Sequence, residues 1–419
     1  MNIAIVGTGI SGLSAAWLLS RRHDVDVFEK NDYPGGHSHT VSISSQSGST
    51  AGVIPIDTGF IVYNERTYPL LTRLFRELDV VTQESDMSFS VSCDRCGIDY
   101  ASSARGLFAA PGNWVRPDHW RMMVDMFRFF RDARGVLDDP VAAGQTLGEW
   151  LAGRNYGAPF RRHFLLPLGG AVWSTSLAGM TDFPVTSFVR FFENHGFLGV
   201  NTSPPWRTVT GGSREYVRRL IAPFAGRIRL GTPVRSVSRR PDAVTVVTAT
   251  GKSRDYDQVI LAAHADQSLA LLADPSPEET RVLSGIPYTA NEAVLHTDAS
   301  LLPRHRGARA SWNIHLDDCA ERTPGITMTY DMSRLQSIPG PPFCVTLNDS
   351  QRIDQSSVIR RISYEHPFFS VPGLAAREGL GTLNGQRRTW YCGAWTRFGF
   401  HEDGLMSGIQ VAGRLGVAF

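Results

Sequence analysis

The chain opens on a short apolar run, Ile3, Ile5 and Val6, cut off by Gly7. A run this short, bounded by glycine, reads as a buried strand. An apolar stretch of helical length follows Gly12, and Val25, Val27 and Phe28 make a second short run ending at Glu29. The order predicted is strand, glycine turn, helix, strand. A polar stretch, 44–50, comes next. Within 67–78, Leu70, Leu71, Leu74, Phe75 and Leu78 recur at helical spacing, and 87–101 holds two short strand runs.

Residues from about 117 to 200 carry few strand signals and read as helical. In the first of these helices Trp120, Met123, Met126, Phe127 and Phe130 form one face, with Arg121, Arg128 and Arg131 elsewhere. Phe188, Phe191, Phe192 and Phe197 add apolar surface. An ordinary helical core accounts for these residues. So does a cap lining a tunnel for an apolar substrate, with a basic amphipathic face against a membrane. Strand signals return at 244–248 and 256–263, with Lys252 in a turn. They recur with Gly/Pro punctuation at 293–296, 310–314, 326–330, 343–347 and 359–364. Trp312 and Tyr330, on two of these, are candidates for a pocket wall or for plain core. A last strand ends at Gly393, and a helix opens near Gly404.

The first turn carries chemistry. Gly7, Gly9 and Gly12 match G-x-G-x-x-G between a strand and a helix. That pattern allows the tight turn, the close approach of a pyrophosphate and helix–strand packing. The helix N-terminus, with Ser11 in its first turn, presents free N–H groups to phosphate. Glu29, twenty residues after Gly9, stands where a carboxylate accepts hydrogen bonds from an adenosine ribose, with Lys30 beside it. Dinucleotide binding is the reading.

With 419 residues, 42% of them hydrophobic and 20% charged, the chain exceeds one typical core. A net charge of +2 argues against a nucleic-acid surface. Cys93-Asp94-Arg95-Cys96 lies between two strand runs and reads as a hairpin turn; zinc would need two further ligands at matching spacing, so no metal is expected. No apolar stretch is long enough to span a bilayer and no leader pattern precedes residue 2, so the expected location is cytoplasmic, with peripheral membrane association as an addition.

Several segments resemble one family across the whole chain. Gly35-Gly36 resembles the second fingerprint of the flavoprotein superfamily that includes amine oxidases, phytoene desaturases and protoporphyrinogen oxidase, with His37 where those families carry Arg. The segments 57–64 (DTGFIVYN), 295–298 (LHTD), 346–348 (TLN) and 399–404 (GFHEDG) resemble a bacterial group of FAD-binding oxidoreductases within that superfamily. Its members are often encoded near cyclopropane-fatty-acid-synthase-like methyltransferases.

The resemblance implies a Rossmann-like α/β FAD-binding domain of the glutathione-reductase type, discontinuous over 1–85, 205–270 and 385–419. It implies a substrate domain of mixed sheet plus helical cap over 86–204 and 271–384. Thr58, Gly59 and Phe60 would approach the flavin, Val234 the adenine, and Gly393, Glu402, Asp403, Gly404 and Ser407 the flavin and its ribityl chain. A helix N-terminus there would stabilise the negative charge of reduced flavin. The activity implied is hydride transfer from an apolar, acyl-lipid-like substrate to flavin N5. Amine oxidation and non-redox isomerisation or hydration are the alternatives. Lys30 and Lys252, the only lysines, are poorly placed for the lysine that many amine oxidases set at N5. His401, His264 and His315 are candidates wherever a proton must also move. Substrate identity and oligomeric state are not legible.

Overall fold

The computed structural model describes residues 1–44, 52–199, 203–319 and 326–419. Of the polar stretch 44–50, only Ser44 falls among them.

Strand β1 (Asn2–Val6), helix α1 (Ile10–Leu19) and strand β2 (Asp24–Phe28) form as the pattern predicts. They seed a five-stranded parallel sheet ordered Ile228–Arg229, β2, β1, Gln258–Leu261, Thr389–Tyr391. The chain thus returns to this sheet from distant segments. All of α1 is buried, because the C-terminal helix His401–Arg414 lies across it. A three-stranded antiparallel flap, Val234–Arg239, Val244–Thr248 and Ser253–Tyr256, is inserted before Gln258–Leu261.

The second sheet has seven strands ordered Val358–Pro367, Tyr288–His296, Cys344–Leu347, Thr327–Asp331, Trp312–Leu316, Phe89–Cys93, Ile98–Ala101. It is antiparallel except where Trp312–Leu316 runs parallel to Phe89–Cys93. Every strand expected between 285 and 366 is present, shifted by a few residues at its ends. The helical stretch covers one face. Phe160, Phe164, Phe188 and Phe192 merge with Leu295, Ile314 and Val345 into one core. Each such buried side chain contributes about 1.5–3 kcal/mol. Much of the cap's aromatic surface is therefore core.

The first cap helix, Pro117–Asp132, corrects the expected face in part, since Met123 is buried and Met126 and Phe130 pack against the core. His119, Met122, Met123, Asp125 and Phe129 are buried, whereas Trp120, Val124 and Phe127 are exposed. The buried stripe carries His119 and Asp125, so apolar periodicity alone favours the other. The sheet, packing from one side, decides.

Candidate functional site

The two glycine turns meet. Gly7 adopts φ +107°, and a Cβ there would stand 2.6 Å from the Ala262 carbonyl oxygen. Gly36, at φ +59°, brings its own missing Cβ to 3.1 Å from the Gly9 Cα. The Gly35 N–H donates to the Thr8 carbonyl at 3.0 Å. Over Gly9 itself there is open space: nothing lies within 4 Å of an added Cβ. The N-terminus of α1 has no side-chain cap and no acidic residue in its first turn, although Ile10, Ser11 and Gly12 are all buried. A buried, uncapped helix start next to open space offers its free N–H groups and positive dipole end to an anion. A dinucleotide pyrophosphate fits this cradle.

Glu29 is buried at the end of β2. Its Oε2 accepts from the Thr8 N–H at 2.9 Å and the Thr8 hydroxyl at 2.5 Å, and its Oε1 from the Asn31 N–H at 2.9 Å. The carboxylate is held rigidly, with lone pairs left over. Lys30 is exposed next to it. The Thr232 N–H donates to the Glu29 carbonyl, which brings the strand beginning at Val234 alongside.

The segment Asp57–Phe60 is stapled to Gly36–His39. The Phe60 N–H donates to the His37 carbonyl at 2.7 Å and the Thr58 N–H to the His39 carbonyl at 3.0 Å. Only glycine fits at 59, since a Cβ would collide with the His37 carbonyl. Asp57 accepts from Thr40, from the Ser213 N–H and hydroxyl, and from Gln336. Burial nevertheless pushes its carboxyl up to about 6 against those hydrogen bonds.

Around this segment lies a group of histidines and aromatics. His401 stacks on Phe60 at 3.8 Å, and its Nε2 meets the Tyr216 hydroxyl at 2.7 Å. His37 stacks on Tyr364 at 4.8 Å and lies 5.2 Å from His366. His264 stacks on Tyr288 at 4.3 Å. Burial drives His37 and His264 down to about 4 and His366 and His401 to about 3. All four keep some accessible surface although they lie deep, as side chains lining an interior space do. His37 Nε2 is buried with no protein partner. From the cap, Phe191 stacks on Phe400 at 4.4 Å, so cap and C-terminal helix close over one another.

His315 belongs to the far end of the second sheet, between Asp94 and Asp317, and not to this group. Glu402 is placed against helix Pro69–Glu77: both of its oxygens accept backbone N–H groups, from Leu70 at 2.8 Å and Leu71 at 3.0 Å, capping that helix. The Ser407 hydroxyl accepts from the Gly393 N–H at 2.9 Å and donates to the Gly404 carbonyl at 2.7 Å, so it joins the last strand to the C-terminal helix. Asp403 accepts from the Phe400 and Phe398 N–H groups, and burial raises it to about 6. Gly404 meets the start of α1, where an added Cβ would stand 2.8 Å from Ile10 Cγ2. Sequence reasoning missed His366, Tyr216 and Tyr364, whose strand and helix positions carried no motif.

The C-x-x-C pair forms the expected turn, with Gly97 at φ +63°. Two distant side chains join it. His163 from the cap and Cys319 from the loop after Trp312–Leu316 place their ligand atoms, with those of Cys93 and Cys96, all within 4.8 Å of one another.

No sequence among the curated proteins matches this chain. Solved structures share its fold. Wild-type putrescine oxidase bound to putrescine is 14% identical with a TM-score of 0.71, covering 99% of each chain. A CLA-producing fatty acid isomerase from P. acnes is 15% identical with a TM-score of 0.69, covering 99% of this chain and 98% of that one. Cyclohexylamine oxidase from Brevibacterium oxydans IH-35A is 15% identical with a TM-score of 0.69, covering 99% of each. The family model for flavin containing amine oxidoreductase matches residues 10–342. With that match over most of its length, the chain belongs to the flavin-containing amine oxidoreductase family and is an FAD-dependent oxidoreductase.

Proposed function

We propose that the enzyme oxidises an apolar substrate, an unsaturated or modified acyl lipid, rather than an amine. The observation that carries this reading is the neutrality of the interior wall. His37, His264, His366 and His401 are all held far below neutrality, first of all by burial, and they stack on or bond to Phe60, Tyr216, Tyr288 and Tyr364, with half-exposed Glu365 3.3 Å from His264 as the one carboxylate in ion-pair range of the four among the described residues. A cationic amine gains little from such a wall, whereas an acyl chain loses little by entering it.

In this reading the Gly7–Gly12 turn, the α1 N-terminus with Ser11, and Gly35-Gly36 hold the FAD pyrophosphate. Glu29 takes the ribose, with Lys30 at the rim, and Val234 lies at the adenine. His37, Thr58, Gly59 and Phe60 face the ring from one side, and Gly393, Asp403 and Gly404 shape the other. Bound FAD supplies a two-electron acceptor for hydride. The chain's own contribution is alignment and exclusion of water, and neutral His401, bonded to Tyr216, is a hydrogen-bonding group rather than a base.

The exposed surface of Trp114, Val115, Trp120, Val124 and Phe127, interspersed with Arg121, Arg128 and Arg131, supports delivery of substrate from a lipid surface. Among the described residues no helix is long and apolar enough to cross a bilayer.

The test mixes oxidised holoenzyme anaerobically with vesicles of monounsaturated phospholipid, with a diamine, and with a cycloalkylamine. Flavin bleaching by the lipid alone is expected. Bleaching by an amine, with ammonia and peroxide formed once oxygen is admitted, overturns the reading. Lipid product without net flavin reduction would instead identify an isomerase.

A further inference from the structure

The geometry points to a structural zinc site formed by Cys93, Cys96, His163 and Cys319, pinning the helical cap to the second sheet. The four ligand atoms lie within 4.8 Å of one another, and His163 Nε2 is 3.2 Å from Cys96 Sγ. Three sulfurs and one imidazole nitrogen in tetrahedral array are a common structural zinc set, with sulfurs about 3.8 Å apart for Zn–S bonds of about 2.3 Å. Four protein ligands leave no open position, so the role is structural.

Local structure prepares the site. The turn runs Cys93-Asp94-Arg95-Cys96-Gly97, closed by the Gly97 N–H on the Cys93 carbonyl at 2.8 Å, with Gly97 left-handed. The backbone N–H of Cys96 points to the Cys93 sulfur and that of Ile98 to the Cys96 sulfur, so the turn orients both sulfurs. The loop carrying Cys319 is tied to the turn from outside. Asp94 and Arg95 donate backbone N–H groups to the carbonyls of Leu316 and Asp317, and Arg95 makes two 2.8 Å bonds to Asp318. Arg116 donates to the Cys96 carbonyl at 2.6 Å, placing a positive charge beside the cluster.

His163 supplies an independent sign. It is 7% exposed, lies in a π-helical turn Arg161–Leu165, and its Nδ1 has no protein partner. Its Nε2, facing the Cys96 sulfur, is the ligand atom, and π turns in α-helices concentrate at ligand sites. The neighbouring Asp94, His315 and Asp317 group is different: it is largely exposed and already paired with Arg352.

The test is metal analysis of holoenzyme made in zinc-supplemented medium and desalted without chelator. About one zinc per chain is expected alongside FAD, and Cys319→Ser and His163→Ala should each weaken retention roughly tenfold or more. For variants that do not fold, wild type grown with cobalt should show the intense red-edge bands of a tetrahedral cobalt thiolate. Zinc far below stoichiometric, zinc unchanged in Cys93→Ser/Cys96→Ser, or a native Cys93–Cys96 disulfide would each overturn the assignment.

Discussion

The carbonyl oxygen of Ser11 lies so close to Gly408 that no side-chain carbon fits between them, and the Ser14 hydroxyl closes the same gap. The C-terminal helix therefore touches the backbone of α1 itself. Together with Gly404 against Ile10, this contact sets the position of the helix start that faces the open space over Gly9.

Gly408→Leu should accordingly act on stability as well as on the cofactor. Overpacking of this kind costs about 1–3 kcal/mol or more when backbone is in the way. The expected outcome is a lower melting temperature and reduced FAD content together. Normal melting with full FAD would show that the two helices separate without consequence.

Gly9 predicts the opposite combination. Its φ of −63° suits any residue, and its Cβ would meet nothing. Gly9→Val should fold with an unchanged apoprotein melting temperature yet fail to take up FAD, because the side chain fills the space a pyrophosphate needs. Equal FAD content in wild type and variant would move the phosphate site elsewhere.

Glu29→Ala should weaken FAD by about 1.5–3 kcal/mol, or roughly tenfold to a hundredfold in Kd, through loss of charge-assisted bonds. Part of that loss passes through Thr8 and Asn31, whose N–H groups Glu29 holds. Titration of apoprotein with FAD, compared with Glu29→Gln, separates the charge from the hydrogen bonds. An unchanged Kd for both variants would exclude Glu29 as the ribose ligand.

How much of this was legible depends on range. The first turn reads from sequence because strand, glycines, helix and carboxylate lie within thirty residues and obey one spacing rule. Glu402 did not: its direction depends on helix Pro69–Glu77, which meets it only after folding. Cys319 reaches Cys93 because Leu316 pairs with Cys93 in a parallel register, a non-local pairing that no local spacing announces. In helix Pro117–Asp132 the buried stripe includes His119 and Asp125, so apolar periodicity points to the other face and only the sheet decides which is buried. Glu402→Ala tests the reassignment. It should cost about 0.5–2 kcal/mol as lost capping while leaving the flavin spectrum unchanged, and a shifted spectrum at full stability would return Glu402 to the cofactor.

The histidines set a pH dependence whose sign can be worked out. His37, His195, His264, His296, His366 and His401 are all depressed to about 3–4, first of all by burial. Their ordinary value is about 6.5, so between those limits the unfolded chain binds more protons than the folded one. This contribution is complete above about pH 6.5 and is lost as pH falls toward 4. Asp57 and Asp403, raised to about 6, act in the opposite sense: their contribution is present below the ordinary carboxylate range and is lost as pH rises through 6. Glu402 and Asp331 are also raised, again chiefly by burial, and add to that opposing term. These six histidines, joined by His39 and His119, which burial also lowers, outnumber the four raised carboxyl groups and leave a net gain of stability with rising pH. At about 1.4 kcal/mol per pH unit for each fully shifted group, the net slope is on the order of 1–3 kcal/mol per pH unit between pH 4.5 and 6.5. Denaturant unfolding of holoenzyme at pH 5 and pH 7, with the protons taken up on unfolding counted by calorimetry in two buffers, would measure it. Equal stability at the two values, without proton uptake, would mean that these histidines are protonated in the native protein, and the neutral wall assigned to the substrate space would fall with them.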